Sequence, residues 1–279
     1  MIIQLWGTRG SLASSGPDTA GYGGNTASVE IRGVDGAILA LDAGTGMRRL
    51  GATIDPSVER VDILLTHLHM DHIQGLGFFA PFFRRGQVHV WGPASATLDL
   101  RTRLTRYLSP PLFPVRIRDL EAEVVMHDAP DEPFNIGGFE VVARHIVHRG
   151  PTVGYRISAD GMSVAYLPDH EPALGARRFP KEPRWTSGFD LASGVDLLIH
   201  DGQYSEDELA SRIGWGHSSV TEAVAFGELA EARQLVLFHH DPSHSDAAVD
   251  ELTARAVARA VAIDVVAGRE GDRYDLKAG

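Results

Sequence analysis

A chain of 279 residues with 43% hydrophobic and 23% charged side chains has enough apolar mass to bury one large core, and it reads as a single domain over 1–279. Its 26 basic and 37 acidic residues leave a formal charge of −11, which excludes broad, sequence-independent binding to nucleic acid or an anionic membrane but not a local basic patch. The chain has no cysteine, which excludes disulfides and the cysteine-rich donor set of most structural zinc sites. No run approaches the roughly 18 apolar residues of a membrane span. Ile2-Ile3-Gln4-Leu5-Trp6 enters a strand without a basic or long apolar leader, so cytoplasmic residence is the expectation.

In chain order, hydrophobic runs predict strands near 2–6, 26–31, 37–42 and 61–66, with a small helix after Gly44-Thr45-Gly46 and another after His72. Strands return near 87–91, 122–126, 138–143, 152–158 and 162–167. Two more buried strands are Val195–Ile199, before His200, and Gln234–Phe238, before His239. Ser219 with Glu222 predicts a capping box opening a helix to about 232. Ser245 opens another over 246–262, with Val249, Leu252, Ala256 and Val257 on its apolar face. The Pro-rich pieces 110–114 and 180–183 read as loops.

The stretch His67-Leu68-His69-Met70-Asp71-His72 places four metal-capable side chains within six residues at the carboxyl end of the strand 61–66, where α/β proteins usually keep their chemistry. In extended backbone His67 and His69 project to one side and can share an ion, whereas Asp71 and His72 diverge toward a second. Further candidates sit at strand ends or turns: His148, Asp169, His217 and His239.

These segments, with Gly7-Thr8-Arg9-Gly10-Ser11, Gly23-Gly24-Asn25-Thr26, Leu41-Asp42-Ala43-Gly44-Thr45-Gly46, Tyr166-Leu167-Pro168-Asp169, Leu198-Ile199-His200-Asp201, Gly216-His217-Ser218-Ser219 and Leu237-Phe238-His239-His240-Asp241-Pro242, resemble the metallo-β-lactamase-fold hydrolases nearly end to end. Within that superfamily they resemble the branch containing tRNA 3′-end-processing ribonucleases and small phosphodiesterases. The resemblance implies an α/β fold, a four-layer αββα sandwich of two mixed sheets flanked by helices. It also implies two divalent metal ions: His67, His69 and His148 on one, Asp71, His72 and His239 on the other, Asp169 bridging. Imidazole and carboxylate suit zinc first, with manganese or iron also admitted. Asp42 would orient the His67–His72 loop, as metal-binding histidines require; a simple turn carboxylate is the alternative. His217, just before a helix N-terminus, would protonate the leaving oxygen, and Asp71 would orient the attacking water; a turn histidine bonded to backbone is the plainer reading.

Only 20 residues separate His148 from Asp169, where tRNA-processing relatives often carry a long tRNA-binding arm. With the −11 charge this favours a small phosphodiester substrate, a cyclic nucleotide or cyclic phosphate, with no stable nucleic-acid partner, no membrane partner, and homo-oligomer formation left open. An RNA-cleaving nuclease, an ester, thioester or lactam hydrolase, and a non-catalytic metal or nucleotide sensor are the alternatives. A di-iron oxygen-reducing protein is disfavoured because such proteins usually have Glu at the position of His69. Arg101, Arg103, Arg106, Arg116 and Arg118, crowded around Ser109–Pro114, form either a solvated face or a phosphate-guiding lid in which Arg101 and Arg106 contact substrate.

Overall fold

The computed structural model describes residues 1–34, 36–173 and 179–277. Its first half runs β1 (Ile2–Gly7), β2 (Ser28–Arg32), β3 (Ile38–Leu41), α1 (Met47–Thr53), β4 (Arg60–Leu64), α2 (Met70–Ile73), β5 (Gln87–Gly92), α3 (Leu100–Thr105) and β6 (Glu123–Asp128). The second half runs β7 (Phe134–Ile136), β8 (Phe139–His145), β9 (Val153–Ala159), β10 (Met162–Leu167), α4 (Phe189–Ala192), β11 (Leu197–Asp201), α5 (Glu206–Ala210), α6 (Val220–Leu229), β12 (Gln234–Phe238), α7 (Asp246–Arg259), β13 (Asp264–Ala267) and β14 (Arg273–Asp275).

The strands form two mixed sheets, β14-β1-β2-β3-β4-β5-β6 and β13-β12-β11-β10-β9-β8-β7. In each, three antiparallel pairings pass into three parallel ones: β3 through β6 are parallel in the first, β10 through β13 in the second. Between the sheets lies an apolar core that includes Ile3, Val29, Leu41 and Leu64 from one side and Phe139, Tyr155, Val164 and Phe238 from the other. Helix α1, α3 and their neighbours cover the outer face of the first sheet through Leu50, Leu100 and Leu104. Helices α4, α6 and α7 cover the second through Leu191, Val224 and Leu252. Four layers result, as expected, because parallel strands buried on both faces need helices outside and a partner sheet inside.

The structure departs from the sequence reading at several places. The helix expected after His72 begins at Met70, so Asp71 and His72 stand on its first turn. Ser219 accepts from Glu222 N but the Glu222 carboxylate does not reach back; the reciprocal box is at Ser205 and Glu208, which cap α5. Val257 is 51% exposed, so the core-facing stripe of α7 is Val249, Leu252 and Ala256.

Two contacts couple the sheets next to the motif. Tyr155 on β9 donates its hydroxyl to the Leu65 carbonyl at 2.8 Å, and Val153 N donates to the Thr66 carbonyl at 2.9 Å. The second sheet thus grips the backbone immediately before His67. Tyr155→Phe keeps the ring but leaves a buried carbonyl short of a donor, and should cost about 1–2 kcal/mol of stability, read as a lowered urea midpoint with an unchanged slope.

Candidate metal centre

The side chains named from the sequence meet along one edge of the sandwich, where both parallel strand sets end. His67 and His69 leave the carboxyl end of β4, and Asp71 and His72 follow on α2. His148 lies between β8 and β9, Asp169 just past β10, and His239 just past β12. His239 has φ +60°, a left-handed turn that swings its ring inward at the strand end. Gly10 packs so closely that a Cβ there would lie 2.2 Å from His239 Nδ1, so only glycine fits.

Four overlapping groups of candidate donors share this edge among the described residues, two of them including His217, and two hold the ligands named from the sequence. The ligand atoms of His67, His69 and His148 lie within 4.8 Å of one another, as do those of Asp71, His72, Asp169 and His239. Asp169 stands between them: Oδ2 is 3.7 Å from His148 Nε2, 3.9 Å from His67 Nε2 and 3.2 Å from His239 Nε2, and Oδ1 is 3.0 Å from His72 Nε2. Asp71 Oδ2 is 3.3 Å from His72 Nε2 and 3.2 Å from His239 Nε2, and it accepts from Ser11 N at 2.7 Å.

The inward nitrogens are aimed by partners on the outward ones. His72 Nδ1 is 2.7 Å from Asp42 Oδ2, His148 Nδ1 donates to the Gly216 carbonyl at 2.7 Å, His239 Nδ1 faces Gln203 Oε1 at 3.2 Å, and His67 Nδ1 faces Thr66 Oγ1 at 3.0 Å. Such contacts fix tautomer and ring orientation in histidines that ligate metal. The His148 contact needs Gly216, at φ +92°, because a Cβ there would lie 2.4 Å from the ring.

The donor set fits divalent ions. Five imidazoles and two carboxylates converge, and the buried His67 Nε2 has no hydrogen-bond partner among the described residues. Burial, reinforced by the His72 ring, pushes His67 well below the usual imidazole range and leaves it a neutral donor. Burial also lowers His148 and His69. Burial opposes a charge on Asp169, yet His239, His72 and His67 together hold its carboxyl well below the usual range. For His72, burial likewise works against the charge, and Asp169, Asp71 and Asp42 lift it well above normal. A centre this rich in anionic and imidazole donors suits zinc, manganese or iron.

His217 sits beside both groups, its ring stacked on His239 with centroids 5.0 Å apart. Its Nδ1 is 2.7 Å from Asp201 Oδ2; against the opposing effect of burial, the charge and hydrogen bond of Asp201 push it up to about 9. Asp201 also accepts from Gln203 N and Ser218 N through Oδ1. Glu171 accepts from Gly214 N and Gly216 N, which fixes the loop carrying His217. Asp201, Gln203 and Glu171 were given no role by the sequence reading. Asp201 obeys the same strand-end rule as the others, but ending the strand at Ile199 left it unassigned. His200 instead packs against His170, its Nε2 2.9 Å from His170 Nδ1.

A cavity of about 460 Å³ opens beside His67 and His69. Arg106 lines it, together with Arg103 and Arg149. Arg101 does not: its guanidinium donates to the Val124 carbonyl at 2.7 Å. Of the two arginines paired by the sequence reading as substrate contacts, Arg106 thus faces this cavity and Arg101 is engaged elsewhere.

Fold and centre together define a metallo-β-lactamase-fold hydrolase. The chain belongs to the beta-lactamase superfamily domain family, whose model matches residues 38–240. It is similar to a ribonuclease Z of Gemmatimonas aurantiaca, 26% identical over an alignment covering 87% of this chain and 88% of the relative, and to a ribonuclease Z of Haloarcula marismortui, 25% identical over 92% and 91%. Among solved structures it shares the fold of the short form of human tRNase Z (TM-score 0.70, 19% identity, 100% of both chains) and of a diphosphatase from the PhnP family (TM-score 0.70, 18% identity, 99% and 98%). The metallo-β-lactamase-fold protein YhfI of Bacillus subtilis is equally similar in fold (TM-score 0.70, 18% identity, 98% of both chains).

Asp42→Ala removes the carboxylate behind His72 and should lower divalent-metal affinity by about 10–100-fold. Competition with a chelator, followed by metal analysis of the desalted protein, reads the change.

Proposed function

We propose that this chain works as one hydrolase domain over 1–279 and is a two-metal phosphodiesterase acting on a small phosphodiester, with a cyclic nucleotide or cyclic phosphate as the substrate class. The observation that carries the reading is the meeting of two donor groups on Asp169 with His217, backed by Asp201, at their side. His67, His69 and His148 would hold one ion, Asp71, His72 and His239 the other, with Asp169 between them and zinc as the first choice. When bound, the ions would supply Lewis acidity toward the phosphate oxygens and make water a competent nucleophile near neutral pH.

The chain's own residues then divide the remaining work. Asp71, tied at one oxygen to Ser11 N, is placed to orient the attacking water. Asp201 holds His217 by Nδ1, so its Nε2–H points away from Asp201 and can donate to a departing alkoxide. Stacking on His239 keeps that proton beside the centre. Asp42, Gln203 and the Gly216 carbonyl resist rotation of the rings as charge develops.

Substrate size is argued from the segment between His148 and Asp169. It holds only β9 and β10, joined through Asp160 and Gly161 at φ +52° and +76°, the conformation of a tight two-residue hairpin. A long RNA-binding arm has no place there. The names of the ribonuclease Z relatives favour a second reading, endonucleolytic cleavage of RNA at the same centre.

Metal-loaded protein should hydrolyse bis-p-nitrophenyl phosphate and 2′,3′- or 3′,5′-cyclic nucleotides, lose turnover on chelation and regain it with zinc or manganese. Cleavage of precursor tRNA with no turnover of cyclic nucleotides would transfer the assignment to the nuclease. His217→Ala should slow the cyclic nucleotide, whose alkoxide needs a proton, by about 10²–10⁴-fold. It should slow bis-p-nitrophenyl phosphate far less, because nitrophenolate leaves without protonation. Equal losses on both substrates in steady-state assays would remove His217 as the acid.

A further inference from the structure

We propose that Glu171 is a positioning residue with two tasks: it sets His148 on the metal side and His217 on the acid side against Asp169, two residues before it in the chain. The inference rests on the phosphodiesterase reading for what His217 does. It goes beyond that reading in making one carboxylate, itself neither a ligand nor an acid, responsible for the placement of both groups.

Glu171 follows β10 and is only 4% exposed, so its carboxylate must find donors inside the protein. One turn supplies them: Gly214 N donates to Oε1 at 2.9 Å and Gly216 N to Oε2 at 2.8 Å. The carbonyls of the same two glycines are taken by the segment that carries His148. Gly216 O accepts from His148 Nδ1 at 2.7 Å, and Gly214 O accepts from Arg149 Nε at 3.2 Å. The circuit closes through the backbone, because Glu171 N donates to the carbonyl of Val147 at 3.0 Å. Glu171 therefore holds the 147–149 segment twice, once directly and once through the 214–216 turn.

His217 is the next residue after that turn. On its other side the Ser218 hydroxyl donates to the His170 carbonyl at 2.6 Å. The segment Asp169-His170-Glu171 thus brackets His217 from before and after, while its first residue stands between the two donor groups. Asp201 holds the His217 ring, but the bracket places the backbone that carries the ring. A carboxylate is needed because Gly214 and Gly216 lie at φ +84° and +92°, where glycine has many other conformations open to it once its amides are released. An amide side chain has a single acceptor oxygen and would turn an NH2 group toward one of the two donors. Glu222 lies close enough for burial and the charge of Glu171 to push its carboxyl up to about 7, yet its side chain makes none of the bonds of this circuit.

The test compares zinc-loaded wild type with Glu171→Gln. Each is titrated with a chelator and the zinc retained per chain is measured, a readout that needs no substrate. Glu171→Gln should release its first zinc at a chelator concentration lower by about tenfold or more, because His148 loses the carbonyl that aims it. At saturating zinc it should also slow a 2′,3′-cyclic nucleotide at least about tenfold more than bis-p-nitrophenyl phosphate, whose leaving group needs no acid. A loss of stability alone would lower both turnovers together. Glu222→Gln, which removes a neighbouring carboxyl and none of these bonds, should keep both wild-type values. Wild-type zinc retention in Glu171→Gln, or equal losses on the two substrates, would overturn the proposal. Should Glu171→Gln fail to fold, Glu171→Asp, one methylene short of the amides, is held to the same two limits. If zinc-loaded wild type hydrolyses neither substrate, the phosphodiesterase reading falls, and the zinc titration still decides whether Glu171 sets His148.

Discussion

The buried carboxylate of Asp42 is the contact on which the site's construction depends. It ends β3 with φ +54°, fully out of solvent, where an unpaired charge would cost several kcal/mol. Four donors meet it: Thr66 N at 2.7 Å, the Thr66 hydroxyl, the His72 ring at 2.7 Å and the Tyr166 hydroxyl at 3.0 Å. Those groups come from β3's neighbour β4, from α2 and from β10 in the opposite sheet. One carboxylate therefore fixes the start of the histidine motif, aims its last histidine and ties the first sheet to the strand that delivers Asp169. The left-handed backbone at Asp42 is the local strain that this network sustains.

The centre lies where it does because the two halves of the chain repeat one plan. Each sheet turns from antiparallel to parallel pairing, and the parallel strands of both end at the same edge. Strand β4 delivers His67 and His69 there, β10 delivers Asp169, β11 Asp201 and β12 His239. Ligands for one centre can be far apart in sequence because Asp169 and His239 each lie within two residues of the end of a parallel strand, and the β4–α2 connection carries the rest of the motif to the same edge. The rigid sheets set their separations, and the short connections set only their orientation.

This logic made most of the centre legible in advance. Buried strands show as continuous apolar runs, and the first polar residue after each run marks an edge, so His67, Asp169 and His239 stand out as strand-end residues. What failed was resolution of one or two residues. Ending β11 at Ile199 left Asp201, the strand's last residue, without a role, although it faces His217. Helix α2 starts earlier than a motif read as loop allows, because α2 takes His69 as its N-cap without a side-chain bond to announce it. Strands β7, β13 and β14 were missed since each is four residues or fewer. Arg101 and Arg106 could not be told apart by composition, as only the direction of the helix decides which meets the cavity.

On the reading proposed above, charge distribution bears on which phosphoesters reach the site. A chain at −11 repels anions at long range, but that field is screened within about 8–10 Å at physiological salt. Inside that distance the local groups decide, and at this edge they are arginines with free donors, an imidazole lifted to about 9 and a cluster built for cations. A long polyanion would in addition have to lie along the acidic remainder of the molecule, with no arm to hold it away. On the reading proposed above, the same net charge would penalise a polymer more than a compact phosphate ester, in proportion to the length that overhangs the site.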